Sequence, residues 1–262
     1  HDNIMEAITT FLGSIVVWES LFQLSSTVLH RHGTADKLTL DKSTKSVLLS
    51  QGPSYIVSIV HSALLSWRGV QHLMDFLPLE EGHFDFSSND RMIYQKIESS
   101  NLIFLGYLIY DLYHVVMLYP KLGGPDMIIH HFLFISCCII NGYYQIFPFG
   151  FAWLILGELS TMLLSIRWLL IKTGRGDTGI FKAVQLLFAS AFWLIRVFIY
   201  QAGIWHMAYH YRTILDLHKS VPLVFLITTI SIILAGAILN LFWAFKIYKM
   251  ALSSQRQKNK SE

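Results

Sequence analysis

Seven stretches of this chain stay apolar for about 20 residues each, the length at which a helix crosses the hydrocarbon of a bilayer. They lie near 5 to 29, 52 to 73, 100 to 119, 127 to 147, 149 to 171, 180 to 205 and 221 to 246, each flanked by charged or Gly/Pro-containing segments. Hydrocarbon supplies no hydrogen-bond partner for a peptide group, so such stretches fold as α-helices. With 53% hydrophobic and only 14% charged residues, the chain cannot cover itself with a water-soluble surface. The expected fold class is all-α integral membrane, with about seven transmembrane helices. The first stretch carries Glu6, Glu19 and a Ser/Gln/Thr-rich second half, which leaves two readings: a full crossing, or a helix lying against the bundle.

Between the second and third spans, Asp75, Glu80, Glu81, Asp85, Asp90 and Glu98 make an acidic segment that reads as a solvated loop. No internal repeat or low-complexity tract divides the chain. Residues 1–44 are therefore read as the first span and its loop, 45–250 as one membrane domain and 251–262 as a basic tail. Cys137 and Cys138 are adjacent inside an apolar run, a spacing that suits packing and neither a disulfide framework nor a metal site. The chain starts at His1, so targeting is not judged from that end.

With seven spans, Arg31, Lys37, Lys42, Lys45, Lys121, Lys172, Arg175, Lys249, Arg256, Lys258 and Lys260 collect on one side, against Arg91, Lys96, Arg212 and Lys219 on the other. Positively charged loops stay cytosolic, which puts the C-terminus in the cytosol. A net charge of +3 held in loops and tail suits an anionic membrane surface and leaves no nucleic-acid footprint. The final Lys258-Asn259-Lys260-Ser261-Glu262 resembles the lysine-based signal that returns membrane proteins to the endoplasmic reticulum. A plain positive-inside anchor is the other reading. The endoplasmic reticulum is thus the expected location, ahead of the plasma membrane.

A charged side chain at mid-membrane costs on the order of 3 kcal/mol, so each is expected to face the interior and have a partner. His61, Asp111, His114, His130, His131, Glu158, Arg196 and Asn240 all fall within spans. Counting rise along the helices places Glu158 and Arg196 both about 14 Å from the same side, close enough in depth for an ion pair. The same count puts His61 near Asp111, roughly 12 to 14 Å from the opposite side, a pairing suited to acid–base chemistry. Tyr107, Asp111 and His114 follow at i, i+4 and i+7, one polar stripe expected to line the interior. Adjacent helical residues diverge by 100°, so one of His130 and His131 is expected to face the interior and the other a neighbouring helix. His206 and His210 are spaced for a metal, but sequence supplies no third ligand and interface packing is favoured.

Several of these residues carry a resemblance. Ile59-Val60-His61-Ser62, Gly106-Tyr107-Leu108-Ile109-Tyr110-Asp111, Ile129-His130-His131, Glu158-Leu159-Ser160 with Arg167-Trp168, Ile195-Arg196-Val197 and Asn240 resemble, in order and spacing, the TLC family of multi-pass membrane proteins. That family is named for translocation-associated, longevity-assurance and neuronal-lipofuscinosis proteins. The resemblance implies a barrel of six helices, spans two to seven, around a membrane-embedded cavity, with the first span outside. The cavity residues would be His61, Tyr107, Asp111, His114, His130, His131, Glu158, Arg196 and Asn240.

Three functions follow from the resemblance. The leading one is lipid homeostasis, with a membrane lipid bound, sensed or moved in the cavity and no cofactor or metal. The second is an acyltransferase like the ceramide synthases, with acyl-CoA as co-substrate, a sphingoid base as acceptor, and His130 or His131 as base or acyl acceptor oriented by Asp111 or Glu158. Where those synthases carry two aspartates four residues apart, this chain offers Glu158 and Met162, so one acid is missing. The third is a cargo receptor of the endoplasmic reticulum, worked by the tail and the acidic loop. Removal of Lys258 and Lys260 is expected to shift a tagged chain from the endoplasmic reticulum towards the cell surface in fluorescence microscopy. Unchanged localisation would retire the retrieval and cargo-receptor readings together.

Overall fold

The computed structural model describes residues 2–31, 40–79, 83–85 and 91–261, with side chains described from Ile4 to Lys249 among these, Arg91 apart. Lys258 and Lys260 of the tail, and Glu80, Glu81 and Asp90 of the acidic segment, lie outside the described side chains. The helices are α1 (Asp2–Arg31), α2 (Lys42–Phe76), α3 (Arg91–Met117), α4 (Pro125–Tyr144), α5 (Pro148–Leu156), α6 (Glu158–Lys172), α7 (Gly179–Ala191), α8 (Tyr200–Tyr209), α9 (Tyr211–Asp216) and α10 (Leu223–Ser261). A π-helical segment, Phe192–Ile199, joins α7 to α8. Among the described residues seven helical stretches are long and apolar enough to cross a membrane: α1, α2, α3, α4, α5 with α6, α7 through α8, and α10. The first stretch qualifies from Ile4 to Arg31, which favours a crossing over a surface helix.

Packed neighbours close a ring: α2 on α3, α3 on α4, α4 on α10, α10 on the π segment, α7 on α6, and α6 on α2. This neighbour order is consistent with a six-helix barrel. Helix α1 stands outside the ring against α2 and α3. Helix α5, the first half of the span that α6 completes, touches both α2 and α3.

Local sequence sets where these elements begin. Asp41 caps α2, accepting from the Ser43 and Thr44 amides at 2.9 and 3.0 Å and from both hydroxyls. The Thr44 amide and then the Ser43 and Thr44 hydroxyls hold its carboxyl well below the usual carboxylate range, so the cap keeps its charge. Pro125 and Pro148 occupy the first turns of α4 and α5, where a missing N–H leaves no bond unmade. Thr178 caps α7 through Phe181 N at 3.2 Å.

The acidic segment is shorter than its composition suggests. Asp75 and Glu98 belong to α2 and α3, and Asp75 accepts from Lys96 Nζ at 3.0 Å. The segment's middle is anchored: Phe84 is 6% exposed, its carbonyl accepts from Phe147 N at 2.8 Å, and Asp85 bridges Ile146. An aromatic at the centre of the segment, not its charge, decides its position, because the helix ends beneath offer Phe147 and Phe149 to cover.

Close approach of backbones depends on glycine at particular places. A Cβ on Gly69 in α2 would stand 2.9 Å from Leu156 N and 3.1 Å from Leu156 Cα in α5, both main-chain atoms that cannot turn aside. Gly142, Gly157 and Gly203 likewise face groups of this same chain, Asn101, Leu154 and Trp153. Gly69→Ala is expected to destabilise the protein by about 1–3 kcal/mol through overpacking. Gly13→Ala, with nothing within 4 Å of the added carbon, is expected to stabilise by about 0.5–1 kcal/mol through helix propensity. Melting of the two variants in detergent, followed by circular dichroism, checks the opposite signs.

Candidate functional site

Two interruptions of regular helix shape the interior. The fifth span breaks between α5 and α6 at Gly157, and Glu158 is the first residue after the break. In the sixth span, Arg196 lies within the wide turns of the π segment, a feature that recurs at functional sites. Glu158 and Arg196 therefore project from irregular backbone on neighbouring spans. Their expected contact is present, with Arg196 Nη2 3.5 Å from Glu158 Oε1 and both side chains mostly buried.

That distance is long for a charge-assisted bond, and shorter ones hold the guanidinium. Arg196 Nε donates to Ser160 Oγ at 2.7 Å, and Nη2 to Thr161 Oγ1 at 3.0 Å. Glu158 Oε2 accepts from the Ser62 hydroxyl of α2 at 3.3 Å. Arg196 Nη1 makes no hydrogen bond among the described residues, leaving part of a five-donor fork unused. The hydroxyl cradle of Ser62, Ser160 and Thr161 was legible only as a run of small polar residues following Glu158 and His61. Nothing in hydropathy marks the π segment, which keeps apolar composition throughout.

Glu158 and Arg196 line a small interior void with His130 of α4, Trp153 and Gly157, Tyr200, and Gly236, Asn240 and Trp243 of α10. Its volume is about 20 Å³, room for one water molecule. The void sits where five spans meet, Phe104 of α3 closing it, and its wall combines one imidazole, one carboxylate, one guanidinium and one amide.

The two adjacent histidines have different roles. His131 Nε2 stands 2.9 Å from Asp111 Oδ2, and its Nδ1 stands 2.8 Å from the Met127 carbonyl oxygen. Both ring nitrogens face acceptors. With an ionised Asp111, both carry hydrogen and His131 is an imidazolium; with a neutral Asp111, the carboxyl donates to Nε2. In either state no ring nitrogen is left to take a proton from a substrate. His130 is the histidine on the void, and its buried Nδ1 has no hydrogen-bond partner.

Two expectations need correction, and a third gains a neighbour. His61 does not meet Asp111: its ring stacks on Tyr107 with centroids 3.3 Å apart, and neither of its nitrogens is hydrogen-bonded. Tyr107 precedes Asp111 by one helical turn, so the depth count erred by about 6 Å, one turn at 1.5 Å per residue. Asp111 is left at the level of His131. The stripe of Tyr107, Asp111 and His114 does not all face the interior either. His114 Nε2 pairs with Glu19 Oε2 of α1 at 3.0 Å, and Tyr107 is covered by Trp18 of α1 as well as by His61. Glu19, a reason to doubt the first span, is what fastens it. Lastly, His206 has a neighbour that spacing did not reveal: His83 Nδ1 is 3.2 Å from His206 Nε2. Among the described residues no group of three or more His, Cys, Asp or Glu is arranged to hold a metal ion.

The family model for the TLC domain matches residues 53–249 of the chain. No curated protein matches it.

The Arg196 contacts rank its partners. Arg196→Gln is expected to cost about 2–4 kcal/mol, since it strips charged hydrogen bonds from Ser160 and Thr161 and leaves Glu158 uncompensated. Glu158→Gln removes the counter-charge but keeps the hydroxyl bonds to the guanidinium, which are shorter than the 3.5 Å ion pair, and is expected to cost less, about 1–2 kcal/mol. Thermal unfolding in detergent reads the difference; equal losses would mean that the carboxylate is the chief partner of Arg196.

Proposed function

Because the chain belongs to the TLC-domain family, we propose that its interior site binds the polar group of a membrane lipid and that the protein serves lipid homeostasis by holding, sensing or moving that lipid. The observation that carries this reading is the wall of the interior void. Arg196 offers unused donors there, beside His130 and Asn240, a set suited to an anionic or strongly polar head group. A volume of about 20 Å³ admits no head group, so binding requires the surrounding helices to part. The break at Gly157 and the π segment flank the void, and both already depart from regular helical bonding.

The hydrogen-bond inventory favours binding over chemistry. A general base needs an available nitrogen and a group that orients the ring. His131 has the orienting carboxylate and no free nitrogen, while His130 has a free nitrogen and no hydrogen bond to orient it. One observation supports acyl transfer as a second reading: the Asp111–His131 contact is a carboxylate–imidazole pair of the kind that tunes basicity. Under that reading acyl-CoA is the co-substrate. The basic residues at the ends of α2, α6 and α10 support a cytosolic face at that end of the bundle, and residence in the endoplasmic reticulum is part of the same proposal.

Mass spectrometry of the detergent-purified chain separates these readings, first for co-purified lipid, then for products after incubation with long-chain acyl-CoA and amine or lysolipid acceptors. A retained lipid whose occupancy falls at least tenfold in Arg196→Gln and His130→Ala, with no acylated product, is the expected result. A product that disappears in His130→Ala or His131→Ala would establish the transferase instead.

A further inference from the structure

Arg68 of α2 is a charge inside a membrane span with no partner of opposite sign among the described residues. Charged groups in that position normally meet a counter-charge, as Arg196 meets Glu158. Hydroxyls hold Arg68 instead. Its Nη1 donates to Ser100 Oγ at 3.0 Å and to Ser99 Oγ at 3.3 Å, both on α3. The acid nearest along its own helix face, Asp75, accepts from Lys96 Nζ at 3.0 Å and is engaged there.

These contacts fix the guanidinium and leave one edge of it unused. The Ser100 hydroxyl donates to the Lys96 carbonyl at 2.9 Å, so it is an acceptor towards both Arg68 and His72, the latter at 2.8 Å. One hydrogen and two lone pairs are all that a hydroxyl has, and every one is taken. The two hydrogens on Nη1 are likewise spent, one on each serine. What remains is Nε–H with the Nη2 amino group, the edge whose parallel N–H bonds match two oxygens of a phosphate or carboxylate. Neither nitrogen has a hydrogen bond among the described residues, and neither is sealed from the surface of the protein.

The unused edge adjoins an apolar surface. Four helical residues turn through 400°, so Arg68 lies only 40° round α2 from Leu64. Val60, Leu64, Trp67, Val70 and Met74 are exposed along that side of the span, which makes it a face towards lipid. Centred on hydrocarbon about 30 Å thick, the roughly 52 Å of α2 overruns it by about 11 Å at each end. Arg68 is eight residues before Phe76, about 12 Å along the helix from its end, and so sits at the edge of the hydrocarbon. Trp67 beside it is 63% exposed and is of the residue type that collects at this level.

We infer that Arg68 anchors a phospholipid on the α2–α3 seam, in the leaflet opposite the basic helix ends. Its Nε–Nη2 edge holds two oxygens of the lipid phosphate, and the acyl chains run towards mid-membrane past Leu64 and Val60. The uncompensated charge selects an anion, the fork selects two oxygens in one plane, and the exposed apolar stripe selects a lipid over free phosphate. The site stands apart from the interior void and does not depend on what that void binds.

The test adds phosphatidylglycerol, diacylglycerol with the same chains, or inorganic phosphate to the purified full chain in detergent and counts bound molecules by native mass spectrometry. Phosphatidylglycerol is expected to be retained at least about tenfold more tightly than diacylglycerol, which lacks the phosphate, and inorganic phosphate to leave it in place. Arg68→Gln is expected to lose one bound phosphatidylglycerol, its retention falling at least about tenfold. Arg68→Lys keeps the charge without the two-pronged edge and is expected to weaken retention about threefold or more; it carries the test if the glutamine variant does not fold. Arg212→Gln removes one cation from the same end of the bundle, away from α2 and α3, and is expected to change retention less than about twofold. Arg196→Gln is expected to leave it unchanged. Circular dichroism melting identifies the folded variants. Equal retention of the two lipids, undiminished retention in Arg68→Lys, equal losses in Arg68→Gln and Arg212→Gln, displacement by inorganic phosphate, or a dimer mass lost with Arg68→Gln would each overturn the assignment.

Discussion

A polar side chain inside hydrocarbon has no water to fall back on, and that constraint determines how these helices dock. Nearly every neighbouring pair is joined by at least one polar clasp. Glu19–His114 joins α1 to α3, and Asp111–His131 joins α3 to α4. Asn101 Nδ2 adds a bond to the Cys138 carbonyl across the same α3–α4 interface. Helix α2 meets α6 through Ser62–Glu158 and Ser58–Ser165, and α3 through Arg68 and His72 on Ser100. Thr229 donates to Asn141 between α10 and α4, and the Tyr200 hydroxyl donates to the Ile233 carbonyl between α8 and α10. Lipid tails are as apolar as leucine, so burial alone gives a membrane helix little reason to choose one neighbour over another. The clasps supply that choice, and the apolar clusters fill in around them.

How much of this can be read from sequence depends on whether depth or azimuth decides the contact. Span number and the Glu158–Arg196 pair follow from length and from counting residues inward, because both partners lie deep on adjacent spans. His61 shows the limit of counting. Its depth is near enough to Asp111, but a single turn of error along α3 exchanges a carboxylate for the face of Tyr107. Glu19 shows another limit: its partner lies close to the end of a helix that α1 outreaches, so equal counts from the ends do not correspond to equal depth. The π segment, the hydroxyl cradle and the docking of His83 on His206 depend on tertiary packing that composition does not encode.

The paired histidines illustrate why adjacency in sequence is a poor guide to shared chemistry. Two residues 100° apart on one helix see different neighbours. His131 is consumed by a carboxylate on one side and a carbonyl of its own helix on the other, a contact that fixes the α3–α4 interface. His130 looks across the ring to Arg196, Glu158 and Asn240 with an unengaged nitrogen. Structural and ligand-facing duties are divided between neighbours that a motif would treat as a unit.

The wide turns at Phe192–Ile199 divide their span into two halves with separate phases. Upstream, Phe188 and Phe192 are set against Ala244 of α10; downstream, Gly203 abuts the Trp153 ring and Tyr200 reaches Ile233. A π turn accommodates one residue more than an α turn over the same rise. Loss of a single residue there would let the segment relax to regular helix with both halves keeping their present phase, whereas loss of one from the regular helix on either side would swing one half by about 100° relative to the other. In the second case either the phenylalanines or Tyr200 and Gly203 would miss their partners, so the span can lose a residue within the wide turns without repacking its flanks, and what it would forfeit there is the aim of Arg196 into the interior.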